Sequence, residues 1–286
     1  MAKIISVANQ KGGVGKTTTA INLSACLAKL GKKILLIDLD PQANATSGLG
    51  INKKTLHSSI YNAIVGNMPI SDVAVKTEYN DLDLAPSNPD LTGAEVELTP
   101  MMARETKLKG KLEIIKELYD FVIIDCPPSL GLLTINSLTA SDSVLIPIQC
   151  EYYALEGLSQ LIHTIELVRK NLNKDLQVEG ILLTMHSSRA NLSNQVIDEV
   201  KQYFKDKVYD TIIPRNIKLS EAPGFGKPII YYESKSIGST SYANFANEFL
   251  LKNGVQTEVA VVKQGDKDID QQKYGATDYT DFGNKT

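Results

Sequence analysis

The stretch that decides the fold is 9-NQKGGVGKTTTAINL-23, a glycine-rich turn that leads into a helical pattern. A β-branched apolar run precedes it at residues 3–9, and apolar residues with helical spacing follow it as far as Leu30. Gly31 then ends the predicted helix. A strand, a glycine loop and a helix in this order point backbone N–H groups at the helix N-terminus, where they bind phosphate. The stretch therefore predicts a phosphate-binding loop at the end of a first strand.

This loop contains two lysines, and the spacing of its glycines differs from that of the usual phosphate-binding pattern. The general pattern GxxxxGK[ST] fails, because Gln10 stands where the first glycine would be, but the variant KGGxGK[ST] fits. We predict that Lys16 reaches the β- and γ-phosphates of a nucleotide, that the Thr17 hydroxyl binds Mg²⁺ and that Thr18 contacts the α-phosphate. A glycine turn that only joins strand to helix is the alternative. The predicted nucleotide-binding residues of the loop are Lys11, Gly12, Gly13, Val14, Gly15, Lys16, Thr17 and Thr18.

Further apolar runs have the length of buried strands and alternate with helical patterns. The runs lie at 33–38, 121–125, 143–148 and 178–185, and the helical patterns at 158–168 and 196–204, with Ser193 as a candidate cap. Continuous apolar strands alternating with helices predict an α/β fold of the P-loop NTPase class, with a mostly parallel sheet covered by helices on both faces. Such sheets bind their ligands at the carboxyl ends of the strands.

Three aspartates fall at that edge of the predicted sheet. Asp125 ends the strand at 121–125, where a carboxylate can hold Mg²⁺ through water. Asp38 and Asp40 are two residues apart, so in an extended chain both point the same way, and one or both can face the attacking water or the metal. We predict Thr17, Asp38 and Asp125 as the Mg²⁺ residues. A turn role is the alternative for these aspartates, most strongly for Asp38, because Asp-Pro-Gln is a good turn sequence.

Length and composition indicate one large domain. The chain has 286 residues, a net charge of −3 and no apolar run near the roughly 20 residues that cross a bilayer. We predict a cytoplasmic protein with one nucleotide-binding domain at 1–253 and a disordered tail at 254–286, because acidic and polar residues replace aliphatic ones from residue 264 onward. The three cysteines have no metal-ligand spacing and are expected to be packed thiols.

Longer motifs carry a family resemblance. The variant loop, 38-DLDPQ-42 and 124-IDCPP-128 together resemble the ParA/MinD family of deviant Walker A ATPases. The stretches 44–51, 125–161 and 213–229 resemble chromosomal ParA proteins of the Soj type. The likeness extends from the first residue to about residue 250.

The resemblance gives the second lysine of the loop a role. It implies that Lys11 reaches across a nucleotide-sandwich dimer to phosphate in the partner subunit, and that Gly12 lies at the same interface. It also implies that Asp40 positions or activates water, so the predicted catalytic residues are Lys11, Lys16 and Asp40. A cation delivered by a second subunit stabilises the transferring phosphoryl group and makes catalysis depend on assembly.

Two more sets of residues are assigned by the same resemblance. Pro214, Arg215 and Asn216 match the stretch that borders adenine, where Asn216 could bond the base; a simple loop is the alternative. Arg189 and Lys218 match positions that bind DNA non-specifically, although relatives often have arginine at the second. Residues 186–235 hold eight Lys or Arg and six Asp or Glu, so charge alone also fits a solvated helix face.

The implied protein is a chromosome or plasmid partitioning ATPase that uses ATP and Mg²⁺. Its ATP-bound homodimer would bind double-stranded DNA at the nucleoid, and a ParB-like centromere-binding protein would stimulate slow hydrolysis and release it. The alternative is a MinD-like membrane-cycling regulator of cell division, which needs a basic amphipathic C-terminal helix, whereas this C-terminus is acidic. No membrane partner is therefore expected. A nitrogenase-reductase-like protein is a third reading, and it needs cysteines that bridge a cluster between subunits.

Overall fold

A computed structural model describes residues 1–151, 154–187 and 191–256, with the backbone alone at 154–157 and 191–193. Of the tail predicted at 254–286, only the first three residues are described, so its disorder stays a prediction. Arg189 lies outside the described residues.

Seven strands form one sheet. They are β1 Lys3–Val7, β2 Ile34–Asp38, β3 Val75–Lys76, β4 Leu82–Ala85, β5 Phe121–Asp125, β6 Ser143–Gln149 and β7 Gln177–Thr184. Their order across the sheet is β3-β4-β2-β5-β1-β6-β7, and every neighbouring pair is parallel except β3 with β4. The predicted mostly parallel sheet is confirmed.

The strand predictions fail in two places. The pattern does not predict β3 or β4, because segments this short gain their stability from pairing with a neighbouring strand rather than from an apolar run of their own. The first strand also ends at Val7 rather than at Asn9, because the Asn9 side chain bonds the backbone at the start of the loop.

Twelve α-helices are found in the described parts of the chain. They are α1 Lys16–Lys29, α2 Asn44–Gly48, α3 Ile60–Ile64, α4 Ile70–Val73, α5 Leu91–Leu98, α6 Lys107–Leu112, α7 Leu132–Ala140, α8 Ala154–Asn171, α9 Asn191–Phe204, α10 Ile217–Glu221, α11 Ile229–Tyr232 and α12 Ile237–Lys252. Gly31 follows α1 with a φ of 75°, which confirms the predicted stop. Ser193 lies inside α9 rather than before it, so its predicted capping role is wrong. None of the helices of the described residues is both long and apolar enough to span a membrane.

The sheet separates two apolar cores, because successive residues of a strand face opposite sides. Ile4 belongs to the core under α3 to α9, and Ile5 to the core under α1, α2 and α10 to α12. The predicted helices on both faces are thereby confirmed. Cys126 and Cys150 are buried in the first core and Cys26 in the second, as packed thiols should be. Buried thiols are not placed to bridge a cluster between subunits.

Candidate functional site

The glycine loop lies between β1 and α1, at the carboxyl edge of the sheet. Gly13 and Gly15 have φ angles of 73° and 91°, a region that favours glycine, and Gly15 caps α1. Its left-handed turn leads the chain from the loop directly into the first turn of the helix. A Cβ added at Gly12 would meet nothing within 4 Å, so the single chain does not itself require glycine there. The predicted interface role of Gly12 stays a prediction.

Two side chains that the sequence reasoning missed hold this loop against the sheet. The Asn9 amide donates to the Pro147 carbonyl at 2.7 Å, and its oxygen accepts from the Lys11 N–H at 3.0 Å. The Thr184 hydroxyl lies 2.8 Å from the Val14 carbonyl and 3.1 Å from the Ile148 carbonyl. The sequence offers one signal for these roles, which is a polar residue at or just after the end of a strand. The atoms that these side chains bond are too far away in the chain for a local pattern to reveal them. The loop is thus anchored at both of its ends.

Lys16 points into the loop. Its side chain is buried, and its ammonium donates to the Lys11 carbonyl at 3.2 Å. Burial lowers the pKa of Lys16, and the carboxylate of Asp125 is the first of the groups that oppose this change. A buried ammonium held by one neutral carbonyl is well placed to exchange that contact for an anion.

Asp38 and Asp125 end the adjacent strands β2 and β5 and are partners in register. The Asp38 carboxylate accepts from the Thr46 N–H and hydroxyl, both at 2.7 Å, and from the Asp40 N–H at 3.2 Å. Burial raises the pKa of Asp38 to about 6 against these bonds. The saturated Asp38 carboxylate anchors α2, and it is less available to a cation than Asp125. The Mg²⁺ role predicted for Asp38 stays a prediction.

Asp125 has the opposite surroundings. It is fully buried, and neither of its carboxylate oxygens has a hydrogen-bond partner of normal geometry among the described residues. Burial, followed by the charge of Asp38, raises the pKa of Asp125 well above its usual range, while the nearby Thr17 hydroxyl and Lys16 act against this. A buried carboxylate left unpartnered in this way fits a site for a cation.

Asp40 follows the strand that ends at Asp38, and its N–H donates to the Asp38 carboxylate. It is mostly buried, and one oxygen accepts from the Gln42 N–H at 2.9 Å. The structure thus brings together the loop and all three predicted aspartates at one edge of the sheet.

The predicted base-binding stretch borders the same site. Pro214, Arg215 and Asn216 line a cavity of about 330 Å³ together with Gly15 and Thr18 of the phosphate loop. Asn216 also caps α10, because its side-chain oxygen accepts from the Lys218 N–H at 2.9 Å. Its amide group is the part left to meet a ligand. A second groove, of about 760 Å³ between α8 and α9, holds none of the predicted site residues.

Lys11 lies at the mouth of the site rather than inside it. Its ammonium is 3.8 Å from a carboxylate oxygen of Glu151, and the other oxygen of Glu151 is 3.3 Å from the Arg215 guanidinium. Glu151 is a third residue that the sequence did not single out, and it joins the phosphate loop to the stretch that is predicted to bind the base. About a third of the Lys11 side chain remains exposed to solvent.

The fold and the site define a P-loop α/β protein with a nucleotide-binding loop at the carboxyl edge of its sheet. A family model described as an AAA domain matches residues 2–178. The sporulation initiation inhibitor protein Soj of Bacillus subtilis is 59% identical over 248 residues, which cover 87% of this chain and 98% of Soj. The chromosome partitioning protein ParA of Myxococcus xanthus is 56% identical over 253 residues, 88% of this chain and 89% of that protein. The chain belongs to the ParA/Soj family of P-loop ATPases.

The fold also matches solved structures. Cobyrinic acid a,c-diamide synthase from Mycobacterium smegmatis, with bound ADP and magnesium, superposes with a TM-score of 0.78 at 38% identity. The match covers 89% of this chain and 97% of that one.

Proposed function

We propose that this chain is an ATP-dependent partitioning switch. ATP binding with Mg²⁺ drives a sandwich homodimer, the dimer binds double-stranded DNA non-specifically at the nucleoid, and a ParB-like protein stimulates hydrolysis and release. The observation that carries the nucleotide site is the buried, unpartnered Asp125 beside Lys16 and Thr17. The names of the relatives support the partitioning role, since the identity to Soj is well above that to the synthase.

The residues of the site divide the work of ATP hydrolysis. Backbone N–H groups of the loop and the Lys16 ammonium bind the phosphates, once Lys16 leaves the Lys11 carbonyl. Thr17 and Asp125 would hold Mg²⁺, which neutralises charge on the β- and γ-phosphates. Asp40 has one oxygen fixed by the Gln42 N–H and turns the other to the attacking water. The water oxygen bonds to the γ-phosphorus as the bond to the β–γ bridging oxygen breaks, giving ADP and phosphate.

Lys11 makes this chemistry depend on a second subunit. Its ammonium meets Glu151 at the mouth of its own site, and its partial exposure leaves it able to enter the pocket of a facing copy. There it stabilises charge on the transferring phosphoryl group as an arginine finger does. Hydrolysis then requires the dimer, and a partner protein that adjusts the dimer controls the rate.

Co-sedimentation with double-stranded DNA in ATP, ADP or no nucleotide tests the switch. The wild type should sediment with DNA only in ATP, and Lys16→Ala should not sediment because charge-assisted phosphate contacts are lost. Asp40→Ala should bind ATP and DNA but hydrolyse at least about 100-fold more slowly. Arg189→Glu should dimerise with ATP but lose DNA. Equal DNA binding in ATP and ADP would contradict the proposal.

The same assay with liposomes in place of DNA tests the membrane alternative. ATP-dependent sedimentation with liposomes, and none with DNA, would favour the MinD-like function. In the described part of the chain the final helix, α12, packs most of its length into the core that it shares with α1.

A further inference from the structure

The lysine predicted to bind DNA already has an anionic partner on the protein surface. The Lys218 ammonium lies 2.9 Å from a carboxylate oxygen of Glu221, one helical turn away on α10. The same oxygen accepts from the Tyr232 hydroxyl at 3.0 Å. Both charged side chains remain partly exposed to solvent, at 45% for Lys218 and 39% for Glu221. Glu221 therefore already pairs with the ammonium that is predicted to contact a DNA phosphate.

This pair is held from more than one side. Asn216 caps α10 through the Lys218 N–H, and α10 sits next to the turn that carries Phe225. The rings of Phe225 and Tyr232 stack at 4.9 Å between centroids, and the Lys218 ammonium lies 5.9 Å from the Tyr232 ring. The Lys218 ion pair and the Tyr232 hydrogen bond both lower the pKa of Glu221 below its usual range. The carboxylate is thus oriented by a helix and by a separate aromatic residue.

We infer that Glu221 competes with the DNA backbone for Lys218 and so limits the affinity and salt dependence of DNA binding. The inference rests on the DNA binding proposed above and on the DNA contact that the family resemblance implies for Lys218. The counterions released on binding come from the DNA, one for about each phosphate that a lysine neutralises. A Lys218 that stays paired with Glu221 neutralises no phosphate, so Glu221 removes part of that gain. A dimer contains the pair twice, and the effect on affinity multiplies.

The expected size of the effect follows from the ordinary strength of exposed ion pairs. Glu221→Gln keeps the shape and removes the charge, and it should tighten DNA binding by about threefold per protomer and about tenfold for the dimer. The slope of log affinity against log salt should become steeper by about one for each Lys218 released. A merely structural role of Glu221 would not steepen this slope.

The experiment measures fluorescence anisotropy of a labelled DNA duplex over a salt series, with the full chain saturated by a non-hydrolysable ATP analogue. The matched control is Glu113→Gln, which breaks another exposed pair with i,i+3 spacing, between Lys116 and Glu113 at 2.8 Å. That pair follows α6 in the chain and lies on the face of the sheet opposite to α10. The double variant Lys218→Ala/Glu221→Gln tests whether the effect passes through Lys218.

The inference is supported if Glu221→Gln binds DNA more tightly and with a steeper salt dependence than the wild type. This gain should disappear when Lys218 is also replaced by alanine, and Glu113→Gln should not show it. Unchanged affinity of Glu221→Gln overturns the inference, and so does an equal gain without Lys218, which would reflect net charge alone. Thermal melting of each variant checks that the fold is intact. If the wild type binds no DNA with the analogue, the proposed function is wrong, and the inference that rests on it is wrong as well.

Discussion

Asp38 and Asp125 stand side by side at the ends of β2 and β5, but only Asp38 has its carboxylate satisfied by hydrogen bonds. Thr46 of α2 supplies two of those bonds. The same residue type at adjacent positions therefore has two roles. Asp38 fixes the chain after β2, and Asp125 is held in a state that a cation would stabilise.

The first prediction concerns stability. Asp125→Asn should raise the free energy of unfolding of the nucleotide-free protein by about 1–3 kcal/mol, because it removes an unpartnered buried carboxylate. It should also abolish the additional stability given by ATP with Mg²⁺. Urea denaturation with and without ATP and Mg²⁺ measures both effects. Asp38→Asn is the control and should destabilise the protein, since it disturbs the bonds to Thr46; similar changes in the two variants would contradict the assignment.

The second prediction concerns pH. The pKa of Asp38 is about 6 in the folded chain against 3.8 in a model peptide, so between these values the folded state holds a proton that the unfolded state has lost. The contribution of Asp38 to stability is therefore greatest below about pH 4 and decreases as pH rises to about 6, by roughly 3 kcal/mol at most.

The test is the difference in unfolding free energy between wild type and Asp38→Asn across pH 4 to 7. Taking the difference cancels the carboxylates that do not interact with Asp38, such as Glu179, whose pKa is lowered by bonds to Lys3 and Ser143 against the effect of burial. As pH rises, the unfolding free energy of Asp38→Asn should increase relative to that of the wild type. A difference that does not vary with pH would show that Asp38 ionises normally.

The third prediction distinguishes action of Lys11 in its own site from action in the partner. Lys11→Ala and Asp40→Ala should each lose ATP turnover by about 100-fold or more. Mixed dimers contain one complete site, with Asp40 from one chain and Lys11 from the other. An equimolar mixture should therefore regain about a quarter of wild-type turnover, since half of the randomly paired dimers are mixed and each has one active site.

A phosphate-release assay on the mixture and on each variant alone measures this recovery. Lys53→Ala mixed with Asp40→Ala is the control for a lysine outside the site, because the Lys53 ammonium donates to the Gln42 carbonyl at 2.9 Å rather than entering the phosphate loop. A mixture no more active than its components would show that Lys11 works within its own chain.

The fourth prediction tests the anchor of the loop. Thr184→Val removes the hydroxyl that bonds the Val14 and Ile148 carbonyls, and it should lower the unfolding free energy by about 1–2 kcal/mol. A loosened loop should also bind ATP several-fold more weakly by calorimetry. Thr139→Val is the matched control, because the buried Thr139 hydroxyl has no hydrogen-bond partner in the described part of the chain, so its loss should not destabilise the protein. Equal losses of unfolding free energy in both variants would show that the Thr184 side chain contributes only packing.

Much of the fold was predictable because its signals are local. The glycine spacing, the stop at Gly31 and the long apolar strands each depend on neighbouring residues, and the structure confirms them. The short strands β3 and β4 were not predictable, because they are held by pairing with residues distant in the chain. The same is true of Asn9 and Thr184, whose bonding partners lie on other strands.

By itself the sequence determined that a phosphate loop, two lysines and three aspartates meet at one edge of a parallel sheet, since strand polarity and loop spacing are written in consecutive residues. Only the tertiary structure decided which aspartate is left unpartnered, and that Glu151 and Glu221 engage Lys11 and Lys218. The physical reason is that hydrogen bonding, burial and charge pairing depend on the neighbours that folding brings into contact. All of these carboxylates are chemically alike, so the role of each depends on the surroundings that it has in the folded protein.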